Sequence, residues 1–159
     1  SIADWQSKDL MDEFCARVLR DNDCAYCLFL SQFDISSFDA FKIFGNRMVQ
    51  MWVEPSEVSE VLLAGDYGLM LREESITNSV ASPTKYAEYL LAGLKVIMSK
   101  NIGDYSAKLI DENLGYIYTK ESIGLTAIPF TEKQRLFTFA INNFTKDKFK
   151  GQYQKIVDR

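Results

Sequence analysis

Histidine is absent from the 159 residues of this chain. Without imidazole, Ser-His-Asp and Cys-His catalysis, histidine-ligated zinc and histidine-based pH sensing are excluded. Cysteine is scarce: three thiols are too few for the disulfide framework of a small secreted domain and point to a reducing compartment. The eight glycines form neither a Walker loop nor a dinucleotide-binding turn, so no phosphate cradle is evident and no cofactor is expected. No apolar run reaches the roughly 18 to 20 residues needed to cross a bilayer. The amino-terminal SIADWQSKDLMDEF is polar and acidic where a signal peptide would be basic and then apolar. A cytoplasmic protein without a membrane partner is expected.

What is present fits an ordinary folded chain. Hydrophobic residues make up 47% and charged residues 25%, unlike a disordered sequence, and the length suits one domain over residues 1–159. Charge is unevenly spread. Residues 1–80 carry 6 basic and 14 acidic side chains, whereas residues 81–159 carry 12 and 8. That polarity favours an asymmetric partner or self-association, a homodimer included.

DWQSKDLMDEFCARVLRD, residues 4–21, places Leu10, Met11, Phe14, Cys15, Val18 and Leu19 at three- and four-residue steps, the pattern of an amphipathic helix. CAYCLFLS reads as a buried strand. SSFDAFKIFG is expected to form a short helix capped by Ser36 or Ser37, RMVQMWVEP a strand stopped by Pro55, SEVSEVLLAG a helix capped by Ser56, and YGLMLRE a strand. Ser82 and Pro83 open a helix expected to run to about Lys100. YSAKLI, the turn DENLG and YIYTK read as a β-hairpin, IGLTAIPF as a further strand, and Thr131 with Gln134 as the capping box of a helix. FKGQYQKIVDR reads as a final basic amphipathic helix. Together these elements predict an α+β fold with a mixed or mainly antiparallel sheet packed with several helices.

Four arrangements invite a chemical reading. Cys24 and Cys27 form a Cys-x-x-Cys pair. A tetrahedral metal site needs four ligands, and Cys15 brings the thiolates only to three. A redox pair belongs at a helix start, whereas these two lie in a strand-like run where residues three apart point to opposite faces. Buried structural thiols are the expectation. Ser82 and Lys85 fit S-x-x-K, without the companion S-D-N and K-T-G motifs, and a helix cap accounts for Ser82. The strand-proline-helix passage MWVEPSEVSEVLL resembles the cofactor-binding step of GNAT-type acetyltransferases, which would imply a small acyltransferase. The glycine-rich R-x-x-G-x-G/A loop of that family has no counterpart here. Finally, residues 133–159 carry seven basic and two acidic side chains. Lys146, Lys148, Lys150, Tyr153 and Lys155 there would be the contacts of a nucleic-acid-binding helix.

Aromatic residues reach 13%, and FDISSFDAFKIF sets four phenylalanines among acidic neighbours. Aromatic anchors ringed by charge are typical of protein interfaces. The sequence therefore favours a non-catalytic interaction module, akin to an adaptor, chaperone or inhibitor. It would bind a protein partner through Phe33, Phe38, Phe41, Phe44 and Trp52, with nucleic-acid binding as the alternative.

Overall fold

A computed structural model describes residues 7–73, 84–100, 102–119, 121 and 124–144. Helix α1 spans Lys8–Asp21. The Ser7 hydroxyl caps it by accepting the Leu10 N–H at 3.2 Å, and Phe14, Cys15 and Leu19 face inward as the periodicity predicts. Strand β1, Cys27–Leu30, is joined by a 3-10 turn and the short helix α2, Asp39–Phe44, to strand β2, Met48–Met51. The two strands pair in parallel, Leu28 opposite Val49 and Leu30 opposite Met51.

After α3, Val58–Leu62, the chain alternates strand and helix: β3 Tyr67–Met70, α4 Thr84–Leu91, β4 Lys95–Met98, α5 Tyr105–Asp111, β5 Gly115–Ile117 and α6 Phe130–Phe144. Strands β3, β4 and β5 form a second sheet in that order, again parallel. Side chains of β4 alternate strictly. Val96 and Met98 join Tyr86, Leu90, Leu109, Leu136 and Ala140 from α4, α5 and α6 on one face, and Ile97 joins the α1 and α2 cluster on the other. Helices α4 and α5 thus cover the same face, as crossovers of one hand require when strand order follows chain order.

The expectation of a mixed or mainly antiparallel sheet is overturned, because every strand pairing among the described residues is parallel. The expected hairpin accounts for much of the error. YSAKLI is helix α5, and DENLG ends it: Asn113 takes a left-handed φ of 51°, its N–H reaches the Ile110 carbonyl at 3.1 Å, and the Leu114 N–H reaches Leu109 at 2.9 Å. This is a Schellman cap, in which asparagine tolerates the conformation that a hairpin turn also demands.

The helix expected to run to about Lys100 stops at Leu91 for the same reason. Gly93 has φ 73°, with Gly93 N–H on Leu90 and Leu94 N–H on Tyr89. Each cap delivers a fully buried leucine, Leu94 or Leu114, directly into the following strand. Residues 124–129, expected as a strand, form an irregular segment held by Asn22 donating to the Leu125 carbonyl and by the Tyr67 hydroxyl donating to Thr126. Thr131 lies inside α6 instead of capping it.

Two glycines make the sheet possible. A Cβ on Gly115 would stand 1.8 Å from the Val96 carbonyl oxygen, and one on Gly68 would stand 2.3 Å from the Tyr89 ring. Helix α6 is tied to the amino-terminal end of this sheet by Lys95–Glu132 and Lys133–Asp66 ion pairs at 3.2 and 3.1 Å. Among the described residues no helix is long and apolar enough to cross a membrane.

Candidate protein-interaction surface

The expectation of two buried thiols holds only for Cys27, because Cys24 lies in the turn before β1 and outside the strand. Cys24 is exposed before β1, and Cys27 is buried. The neighbour of Cys27 is Cys15 on α1. The two thiols share a hydrogen bond that, with burial, pushes the Cys15 thiol well above its ordinary range. The same bond, with the Arg47 guanidinium nearby, draws the Cys27 thiol down. Arg47 also donates to the Leu19 and Asn22 carbonyls at 2.5 and 2.8 Å, closing the carboxyl end of α1, and lies over the Phe44 ring. Among the described residues no cluster of three or more acidic or thiol ligands could hold a metal ion.

The five aromatic residues singled out in the sequence take different places. Phe38 is fully buried, edge-on to Phe29 at 5.6 Å, so it is unavailable as a surface anchor. Phe33, Phe41 and Phe44 are half-buried against the same core, and the Lys8 ammonium lies over the Phe33 and Phe38 rings. The 3-10 turn and α2 direct these rings inward, where large apolar groups gain most. Trp52, directly after β2, remains 54% exposed. Lys146, Lys148, Lys150, Tyr153 and Lys155 lie outside the described residues, as does Ser82.

An exposed apolar surface near Trp52 comes from the two strands. Cys27, Phe29 and Met48 point into the core, so Leu28 and Val49, paired across the strands, point out, with Leu30 and Met51 beside them. Leu28 is 46% exposed, Val49 45% and Met51 39%, and Tyr26, one residue before β1, is 69% exposed. CLFL is apolar on both faces and MVQM is polar only at Gln50, so neither shows the alternation that marks a half-solvated strand.

Polar contacts hold this face from beneath. The Gln50 amide, on the inner side, donates to the Ser31 and Phe33 carbonyls at 2.9 and 2.7 Å, and its oxygen accepts the Ile35 N–H at 3.3 Å. One side chain thereby fixes the turn leaving β1. The Asp12 carboxylate of α1 accepts the N–H groups of Asp39 and Ala40 at 2.8 Å each, which anchors the α2 connection. These bonds hold the outer side chains in a defined geometry.

The passage from β2 to α3 is short and acidic. Helix α3 has five residues, and the Glu57 carboxylate at its start already accepts the Glu54 N–H at 3.0 Å. Glu54 and Glu57 set two carboxylates at the start of this short helix. No family model, curated protein or solved structure matches this chain.

Proposed function

We propose that this chain is a non-catalytic interaction module whose contact surface is the outer face of β1 and β2, flanked by Tyr26 and Trp52. The observation that carries the reading is the outward pairing of Leu28 with Val49 and of Leu30 with Met51 on a sheet with no layer over that face among the described residues. Covering side chains that are already about half buried returns about 1 kcal/mol each. Four such residues with one exposed tryptophan resemble the centre of a modest protein interface. The aromatic anchors expected at Phe33, Phe38, Phe41 and Phe44 act in this reading as the foundation of the surface, and Trp52 alone of the five stands at its edge.

Native mass spectrometry of the protein recovered gently from its own cells tests the reading, alongside a Leu28→Thr/Val49→Thr variant. Threonine keeps the β-branched preference of a strand while removing apolar area. The wild type should carry a stoichiometric protein partner that the folded variant lacks. A partner retained by the variant would move the contact surface elsewhere.

A further inference from the structure

We infer that the occupant of the β1–β2 face is an amphipathic helix of another protein, with an apolar stripe and lysine or arginine along its margins; the inference rests on that face being the contact surface. The dimensions set the first half. Four residues of strand run about 13 Å, and two strands lie about 5 Å apart. A helix is about 10 Å across with its side chains and advances about 5 Å per turn, so the face accepts two or three turns of a single helix.

Charge sets the second half. Residues 21–60 carry seven carboxylates and two cations. Both cations are engaged: Lys42 pairs with Asp39 at 2.6 Å, and Arg47 is spent on the carbonyls that end α1. Asp23 stands three residues before Tyr26, Glu54 three residues after Met51, and Glu60 farther on in α3, all exposed. Three residues span at most about 10 Å, so Asp23 and Glu54 stand about a Debye length or less from Tyr26 and Met51 at the ends of the face. Cationic margins are drawn to this rim, and a second copy of the same face would set carboxylates against carboxylates.

The probes are a labelled amphipathic helical peptide of leucine and lysine and the same pattern with glutamate for lysine, titrated by fluorescence anisotropy into the full chain at two salt concentrations. The lysine peptide should bind at least about tenfold more tightly than the glutamate peptide and weaken with salt. Asp23→Lys/Glu54→Lys should abolish or invert the preference, and Leu28→Thr/Val49→Thr, which leaves net charge unchanged, should remove binding of both peptides. Circular dichroism confirms that each variant is folded. If the threonine pair does not fold, Trp52→Ala takes its place.

The two ways of failing are distinct. Loss of binding in the threonine pair with no response to Asp23→Lys/Glu54→Lys would overturn the cationic partner and leave the surface intact. Binding indifferent to the threonine pair would overturn both. Sedimentation of the full chain adds an arm: a concentration-dependent dimer that the threonine pair abolishes would make a second copy the occupant, contrary to the inference.

Discussion

The Asp12 carboxylate on α1 accepts the Ala40 backbone N–H at 2.8 Å, twenty-eight residues away in the chain. Its other oxygen takes the Asp39 N–H at the same distance. The residue before α2 is Phe38, which has no side-chain acceptor, so the cap is supplied across the fold by another helix. Asp12→Ala should destabilise the chain by about 1 to 2 kcal/mol in urea unfolding. Asp12→Asn should recover part of that, because an amide oxygen still accepts one of the two bonds. An alanine variant as stable as the wild type would show that α2 is held by packing alone.

Glycine at position 115 is demanded by backbone contact. Gly115→Ala drives a methyl group into the Val96 carbonyl and must push β5 off β4, a cost of about 3 kcal/mol or more. At Gly68 the obstacle is the Tyr89 ring, whose hydroxyl donates to Leu69 at 3.3 Å, so Gly68→Ala should displace the ring and lose that bond. Burial pushes the Tyr89 phenol up to about 12. In Gly68→Ala this phenol should ionise at lower pH in a spectrophotometric titration, and an unchanged titration would mean the ring had not moved.

The thiols differ by position. Cys24 is exposed, whereas Cys15 and Cys27 are buried against each other. A maleimide reagent should modify one cysteine in the native protein and three after denaturation, and Cys24→Ser should remove the native reaction. Rapid native labelling of Cys27 would contradict its inward placement in β1.

Acid should loosen the junction between α6 and the β3-β4-β5 sheet. The Arg135 guanidinium meets both Glu132 carboxylate oxygens at 2.8 and 2.9 Å, and Lys95 adds an ion pair at 3.2 Å. These hold the Glu132 carboxyl down to about 2, against an ordinary 4.5. A depressed carboxyl contributes stability that is fully present above pH 4.5 and is lost as the pH falls toward 2. With solvent screening, the loss is on the order of 1 kcal/mol. Glu132→Gln should flatten the dependence of unfolding free energy on pH across that window, and an unchanged slope would place the acid sensitivity elsewhere.

How far the sequence reveals this molecule depends on whether a feature is local. Helix α1 is legible because Met11, Phe14, Cys15 and Val18 share one side of a long periodic segment. Strand direction is not local, and Asn113 illustrates why: a left-handed asparagine serves a hairpin and a helix cap equally well. Strand β4 reads as part of the preceding helix because Leu90, Leu91, Leu94, Ile97 and Met98 keep helical spacing, and only the Gly93 cap separates them. The proposed surface is hard to read in the sequence for a related reason. Phenylalanines crowded among acids in residues 33–44 attract notice, yet their rings fill the core, while Leu28 and Val49 look like ordinary core and face outward.

The most direct test of the account places a photocrosslinking amino acid at position 49, on the outer face of β2, and a second at Thr138, exposed on α6, each in the full chain in its own cells. The account predicts that irradiation joins position 49 to a defined segment of one partner protein, with apolar residues flanked by lysine or arginine, and that position 138 gives no such adduct. A folded protein that yields no adduct from position 49, or the same adducts from both positions, would contradict it.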